Sequence, residues 1–280
     1  MKALTGSCIA VYSEEMREQA LKNLRLEAEM REAIRTDAFV LYLQPQKSMK
    51  EHNAILRAEV LVRWQHSAEE LMMPGEFIPL FERSGAIVQL DLYVFEKACR
   101  ILQRANAQGH KLCLAVNVSR ITMLQPDFVT SYQRLKEQYG LADGTIELEF
   151  TEDVAVENDA RFRQTVIALK QQGFLCAIDD FGVGQSSLNV LQNLPIDVLK
   201  LDRRFFQVEQ EPRRGYIVIA NVIRMAGELG ICTVAEGIEQ PEQVGVLAEM
   251  GCDYIQGYVF ERPLPAEEYW ERYLETDALK

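Results

Sequence analysis

After Asp37 the chain alternates short apolar runs with longer stretches of helical periodicity, and this alternation restricts the fold more than any other feature. Strand-like runs fall at 39–44, 55–63, 111–118, 145–150, 174–179, 197–201, 232–235 and 253–257. Helical patterns lie between most of them, at 88–106, 126–138, 157–172, 214–230 and 240–250. Eight strands with intervening helices over roughly 240 residues predict an α/β fold, a (β/α)8 barrel. The link from Gln46 to Ala54 is too short for a helical crossover, so the first strand is expected to run antiparallel to the others. Pro74-Gly75 and Pro263 to Pro265 read as loops. Before the barrel, a helix begins at Ser13, with Glu14 and Glu15 at the positive end of its dipole. Met16, Ala20, Leu24 and Ala28 form one stripe on it, and Leu26, Met30 and Ile34 a second. Such a helix either packs on its own domain or connects to an upstream module or another chain. The expected organisation is an N-terminal segment and linker helix over 1–36 and a barrel domain over 37–280.

Seven of the eight strand candidates end in polar residues that a packed core would not choose. They are Glu59 and Arg63, Asn117, Glu149 and Glu152, Asp179 and Asp180, Lys200 and Asp202, Glu236, and Gln256. Polar groups at the C-terminal ends of successive barrel strands converge on one face, where barrel enzymes carry their chemistry. In the fourth strand Glu147 and Glu149 share a face, with Leu148 and Phe150 opposite. The run 174–178 stops on two adjacent carboxylates, Asp179 and Asp180, before the glycine-flanked loop Gly182-Val183-Gly184. Two neighbouring carboxylates at a strand end repel each other and are costly to desolvate, so a positive group belongs between them: a bare ion pair or divalent cations. Glu, Asn and Asp supply only oxygen, which favours Mg²⁺ or Mn²⁺ over zinc or copper. Five carboxylates around one point exceed the charge of a single divalent ion, whereas two ions balance it and suit in-line displacement at phosphorus.

Composition narrows the partners. The net charge of −12 and the lack of a basic stripe exclude a general DNA or RNA binder. No apolar run reaches the roughly 18 residues of a membrane span. Six cysteines without a C-x-x-C pair read as reduced thiols of a cytoplasmic protein. With three histidines, His52, His66 and His110, an imidazole zinc site is excluded.

Ala58-Glu59-Val60-Leu61-Val62-Arg63-Trp64, Val116-Asn117-Val118-Ser119, Glu149-Phe150-Thr151-Glu152, Asp179-Asp180-Phe181-Gly182-Val183-Gly184, Lys200-Leu201-Asp202, Glu236-Gly237-Ile238-Glu239 and Gln256-Gly257, in that order, resemble the EAL-domain phosphodiesterases. The resemblance runs from about Phe39 to Leu274. It implies hydrolysis of cyclic di-GMP to linear 5′-pGpG by a modified barrel that binds two Mg²⁺ or Mn²⁺ ions and forms a homodimer. It further implies Glu59, Asn117, Glu149 and Asp179 as ligands of one metal, and Asp179, Asp180 and Glu236 as ligands of the second. Lys200 would orient the attacking water, Glu152 would anchor the loop after Asp180, and Gln256 would complete the site near the water. Gln44, Leu61 and Arg63 would contact substrate. Residues 1–36 resemble the end of a GGDEF domain and its linker, which implies an upstream GGDEF or sensory domain.

Three positions depart from the family pattern: Val60 within the name-giving tripeptide, and Val183 and Gln185 in place of threonine and tyrosine after Asp180. The last two put closure of that loop in doubt, and they leave a catalytically weak or inactive cyclic di-GMP sensor as the alternative. Asp180-Phe181-Gly182 mimics a kinase tripeptide but lacks the accompanying glycine-rich and catalytic loops. A Schiff-base role for Lys200 is a further alternative. Trp64 and Trp270 read as packing residues, and His66 as a surface histidine.

Overall fold

The barrel strands are short, mostly apolar runs that carry polar residues at or near their C-terminal ends. A computed structural model describes residues 14–50, 56–157, 159–182, 188–206 and 212–275. The barrel strands are β1 (Phe39–Ser48), β2 (Leu56–Gln65), β3 (Leu112–Asn117), β4 (Ile146–Thr151), β5 (Leu175–Phe181), β6 (Val198–Leu201), β7 (Cys232–Ala235) and β8 (Tyr254–Ile255). From β2 to β8 every neighbouring pair is parallel. β1 closes the barrel by pairing antiparallel with both β2 and β8, as the short link between the first two strands requires.

The helices expected from periodicity lie at Ile87–Ala107, Phe128–Gln138, Asp159–Gln171, Pro212–Glu228 and Pro241–Glu249. Pro74-Gly75, expected as a loop, instead opens a helix at Pro74–Ser84. Proline suits the first helical position because its missing N–H would be unpaired there. Phe77, Leu80 and Phe81 then form a buried stripe against Phe39 and Trp64, and Gly85 ends the helix at φ 78°. Trp64 and Trp270 are both buried, so packing accounts for them.

In α1 (Glu14–Arg35) the two stripes part company. Leu26 and Met30 of the second stripe join the core with Ile34 packed against it, and Ala33 is buried beside them, while Leu24 and Ala28 of the first face outward, Leu24 at 63% exposure. Ser13, Val183 and Gln185 lie outside the described residues.

Alternation along the strands builds two layers inside the barrel. Gln44, Glu59, Asn117, Glu149, Asp179 and Lys200 lie in the upper layer, and Gln46, Arg57, Glu147, Ala177 and Val198 lie two residues below on their strands. Gln44 pairs with Glu59 across the β1–β2 ladder and Gln46 with Arg57, so the layers stay level where the strand direction reverses. On the far side the lower layer is apolar: Ala177, Val198, Val234 and Tyr254 pack together.

Candidate active site

The upper layer is centred on Lys200, which is fully buried. Its Nζ lies 2.8 Å from Glu149 Oε1, 2.8 Å from Glu236 Oε1, 3.2 Å from Asp179 Oδ1 and 3.5 Å from Glu59 Oε2. Four carboxylates from β2, β4, β5 and the end of β7 thus share one cation. Burial alone would pull the ammonium down, but Asp179, Glu149, Glu236 and Glu59 together hold its pKa well above the ordinary value. Burial pushes Glu149 well above the carboxylate range; Lys200 opposes this, while Glu59 and Asp179 add to it. Glu236 is raised by the same causes.

The remaining polar residues fix these carboxylates. Asn117 Nδ2 donates to Glu59 Oε1 at 2.9 Å, and Gln256 Nε2 donates to Glu59 Oε2 at 2.5 Å and to Gln44 Oε1 at 3.1 Å. Gly257, next to Gln256, lies so close to the Ile238 carbonyl that a Cβ there would fall 2.0 Å from its oxygen. Asp180 stands apart from the Lys200 quartet and adopts the left-handed region at φ 55°. Burial, with Asp179 and Asp202 adjacent, raises its carboxyl to about 6. Its amide donates to Asp179 Oδ1 at 2.8 Å. Two residues on, the Gly182 amide donates to Glu152 Oε2 at 3.2 Å, and a Cβ at Gly182 would collide with the Phe205 ring.

Arg63 points from β2 toward the face above. Its guanidinium lies over the Tyr42 ring and donates to the neighbouring Val62 carbonyl at 2.8 Å. Among the described residues no carboxylate forms an ion pair with it. Beside Asn117 opens a cavity of about 330 Å³, lined by Leu61, Val94, Val118, Pro74 and Asp91. Asp91 Oδ2 accepts from the Ser119 amide at 3.0 Å and from Thr122 Oγ1 at 2.6 Å. Asp91 escaped the strand-end reading because it sits on a helix, Ile87–Ala107, amid apolar neighbours. An acidic residue inside that helix's buried stripe was the available signal.

The residues therefore fit divalent cations. The donor set is oxygen only, four carboxylates surround the Lys200 ammonium, and among the described residues neither oxygen of buried Glu149 has a hydrogen bond beyond its ion pair with Lys200. Among the described residues, Lys200 is the one cation paired with these four carboxylates.

Comparison with known proteins identifies the family. The EAL-domain family profile matches residues 27–263. The chain is 37% identical over 266 residues to the cyclic di-GMP phosphodiesterase NbdA of Pseudomonas aeruginosa, covering 94% of this chain and 34% of that protein. It is 33% identical over 258 residues to the signaling protein YkoW of Bacillus subtilis, covering 92% of this chain and 32% of that protein. The PaMucR phosphodiesterase in complex with c-di-GMP superposes with a TM-score of 0.80 at 31% identity, covering 87% of this chain and 99% of that one. The chain thus spans about a third of the length of these two sequence relatives.

Proposed function

The chain belongs to the EAL-domain family, and from that premise we propose that it hydrolyses one phosphodiester bond of cyclic di-GMP to linear 5′-pGpG. The observation that carries this reading is the oxygen-only, charge-excess layer around Lys200. Glu59, Asn117, Glu149 and Asp179 would hold one Mg²⁺ or Mn²⁺, and Asp179, Asp180 and Glu236 a second. Such cations, when bound, acidify water and neutralise charge on a phosphodiester.

The protein's own groups do the rest. Lys200 offers an ammonium to the attacking water and to negative charge developing at phosphorus. Arg63, with no carboxylate partner among the described residues, grips a phosphate through its guanidinium fork. The apolar cavity beside Leu61, with Asp91 on its wall, suits a flat base whose N–H edge meets a carboxylate. Gln256 donates to Glu59 and to Gln44, so one amide joins the two side chains. Glu152 tethers the chain after Asp180 through the Gly182 amide.

Residues 37–280 form the barrel domain in this proposal, and 1–36 a linker to an upstream GGDEF or sensory domain. Homodimerisation and a cytoplasmic setting belong to the same proposal. Among the described residues no helix is long and apolar enough to cross a membrane.

The test is incubation with cyclic di-GMP in Mg²⁺, Mn²⁺ or Ca²⁺, with chromatography for the linear product. Turnover is expected with the first two. Asp179→Ala and Glu59→Ala should each lose more than about 100-fold in kcat, since even groups behind metal ligands contribute roughly 10- to 100-fold. Near-wild-type turnover in those variants ends the reading. Calorimetric binding of cyclic di-GMP without turnover by the wild type would establish the sensor alternative.

A further inference from the structure

A chain of hydrogen bonds runs from the lower layer up to Glu59, and its direction is dictated by its two ends. At one end Arg57, 8% exposed, pairs with the fully buried Glu147, and its Nε donates to Gln46 Oε1 at 3.2 Å. Gln46 Nε2 donates to Gln256 Oε1 at 3.0 Å. Gln256 Nε2 donates in turn to Glu59 Oε2 at 2.5 Å. A guanidinium can only donate and an ionised carboxylate can only accept, whereas a glutamine amide works either way round. Arg57 therefore forces the Gln46 carbonyl toward itself, which turns the Gln46 amino group toward Gln256. This in turn turns the Gln256 amino group toward Glu59.

We infer that Arg57 and Gln46 are positioning residues for the active site, setting the orientation of Gln256 and thereby the carboxylate plane of Glu59. Every member is buried: Gln46 is 5% exposed, Gln256 4% and Glu59 6%. Water therefore does not replace a missing donor, and a reversed amide would face Glu59 with its own oxygen. Arg57 is itself held from two sides, by the Glu147 carboxylate and by the Tyr254 ring, 4.9 Å from its guanidinium carbon. The inference rests on the proposed hydrolysis only for its kinetic readout, because the orientation of Glu59 also sets how it meets a cation.

The test uses Gln46→Met and Gln46→Glu in the whole 280-residue chain. Methionine fills the space without donating or accepting. Glutamate keeps the acceptor for Arg57 and makes that contact ionic, but offers no donor to Gln256. Three readouts are needed: melting temperature in EDTA, the Mn²⁺ dissociation constant from the spin resonance of free Mn²⁺, and kcat and KM on cyclic di-GMP. Both variants are expected to weaken Mn²⁺ by about tenfold and to lower kcat similarly, in the range for residues behind metal ligands. KM should change little. The glutamate variant is decisive, since its added negative charge would by itself tighten cation binding, so weaker Mn²⁺ binding in it cannot come from charge. If Gln46→Glu keeps wild-type Mn²⁺ affinity and kcat, the residues serve packing alone and the inference is overturned. It is equally overturned if both variants stay within twofold of wild type. A wild-type chain that binds Mn²⁺ but yields no linear product would remove the proposed hydrolysis, and the relay would then stand or fall on the Mn²⁺ constants.

Discussion

Glu147 and Glu149 lie two residues apart on β4, face the same barrel interior and are both fully buried, yet their electrostatic circumstances are opposite. Glu147 has a cation to itself: Arg57 pairs with it, and Ala177, Val198 and Val234 complete the layer. Glu149 shares Lys200 with Glu59, Asp179 and Glu236, and among the described residues neither of its oxygens is hydrogen-bonded, against one of the two on Glu147. A buried pair of matched charge is a closed structural unit, with its desolvation offset by its partner. A buried group of four carboxylates around one ammonium is not matched by that ammonium alone, and burial raises Glu149 and Glu236 accordingly. One strand thus carries both kinds of buried acid, and stoichiometry rather than burial tells them apart.

The largest expected effect tests that contrast directly. Lys200→Met and Arg57→Met each strip buried carboxylates of their cation, and breaking such a pair destabilises by about 3–5 kcal/mol. In EDTA both variants should melt well below wild type. Adding Mn²⁺ should restore the Lys200→Met melting temperature without restoring turnover, because the upper layer accepts external charge. It should leave Arg57→Met unchanged, whereas Arg57→Met combined with Glu147→Leu should recover most of the loss. Equal rescue of both single variants by Mn²⁺ would erase the distinction.

The contrast also explains what the sequence could and could not reveal. The upper layer was legible because its members end their strands, where a polar residue after an apolar run stands out: Glu59, Asn117, Glu149, Asp179, Lys200. Glu147 was visible as a same-face neighbour of Glu149, but its partner was not. Arg57 sits on β2 beside Leu56 and Ala58, and only the register of β1 against β2 brings it level with Gln46. Pairing across strands is a tertiary fact that no single run encodes. The antiparallel β1 could be read from a link too short for a helix. The helix at Pro74 could not be separated from a loop, since proline and glycine open both. Asp91 was hidden by its amphipathic surroundings.

Asp91 extends the comparison to a buried carboxylate that has no paired cation among the described residues. Burial raises its carboxyl to about 6, against hydrogen bonds from Thr122 and Ser119 that favour the charged form. In the unfolded chain it titrates near 3.9. Between these values the folded protein holds a proton that the unfolded chain has released, so stability falls as pH rises from about 4 to about 6. A shift of about two units bounds the effect near 3 kcal/mol. Asp91→Asn should remove that slope from denaturant unfolding measured at pH 4.5, 5.5 and 6.5. An unchanged slope would mean that Asp91 is ionised throughout, like a paired acid.

The smallest effect belongs to a charge pair left at the surface. His66 Nε2 lies 2.8 Å from Glu29 on α1, and its Nδ1 lies 3.0 Å from Glu70. Glu29 first, against desolvation and with help from Glu70, raises the imidazole pKa above its ordinary value. The protonated form is therefore favoured in the fold. The stabilisation is complete below the unfolded value of about 6.5 and is lost as pH rises through the raised folded value. At 31% and 50% exposure solvent screens the pair, so it contributes about 0.5 kcal/mol or less. A global melt is too blunt to see this, but the pair ties α1 to the end of β2, and amide hydrogen exchange over Leu26–Arg35 reads that attachment locally. Glu29→Gln should speed exchange there at pH 6 and leave it unchanged at pH 9, after correction for the intrinsic rate. Equal acceleration at both values would place the attachment in the Leu26, Met30 and Ala33 packing and leave the charges no part in it.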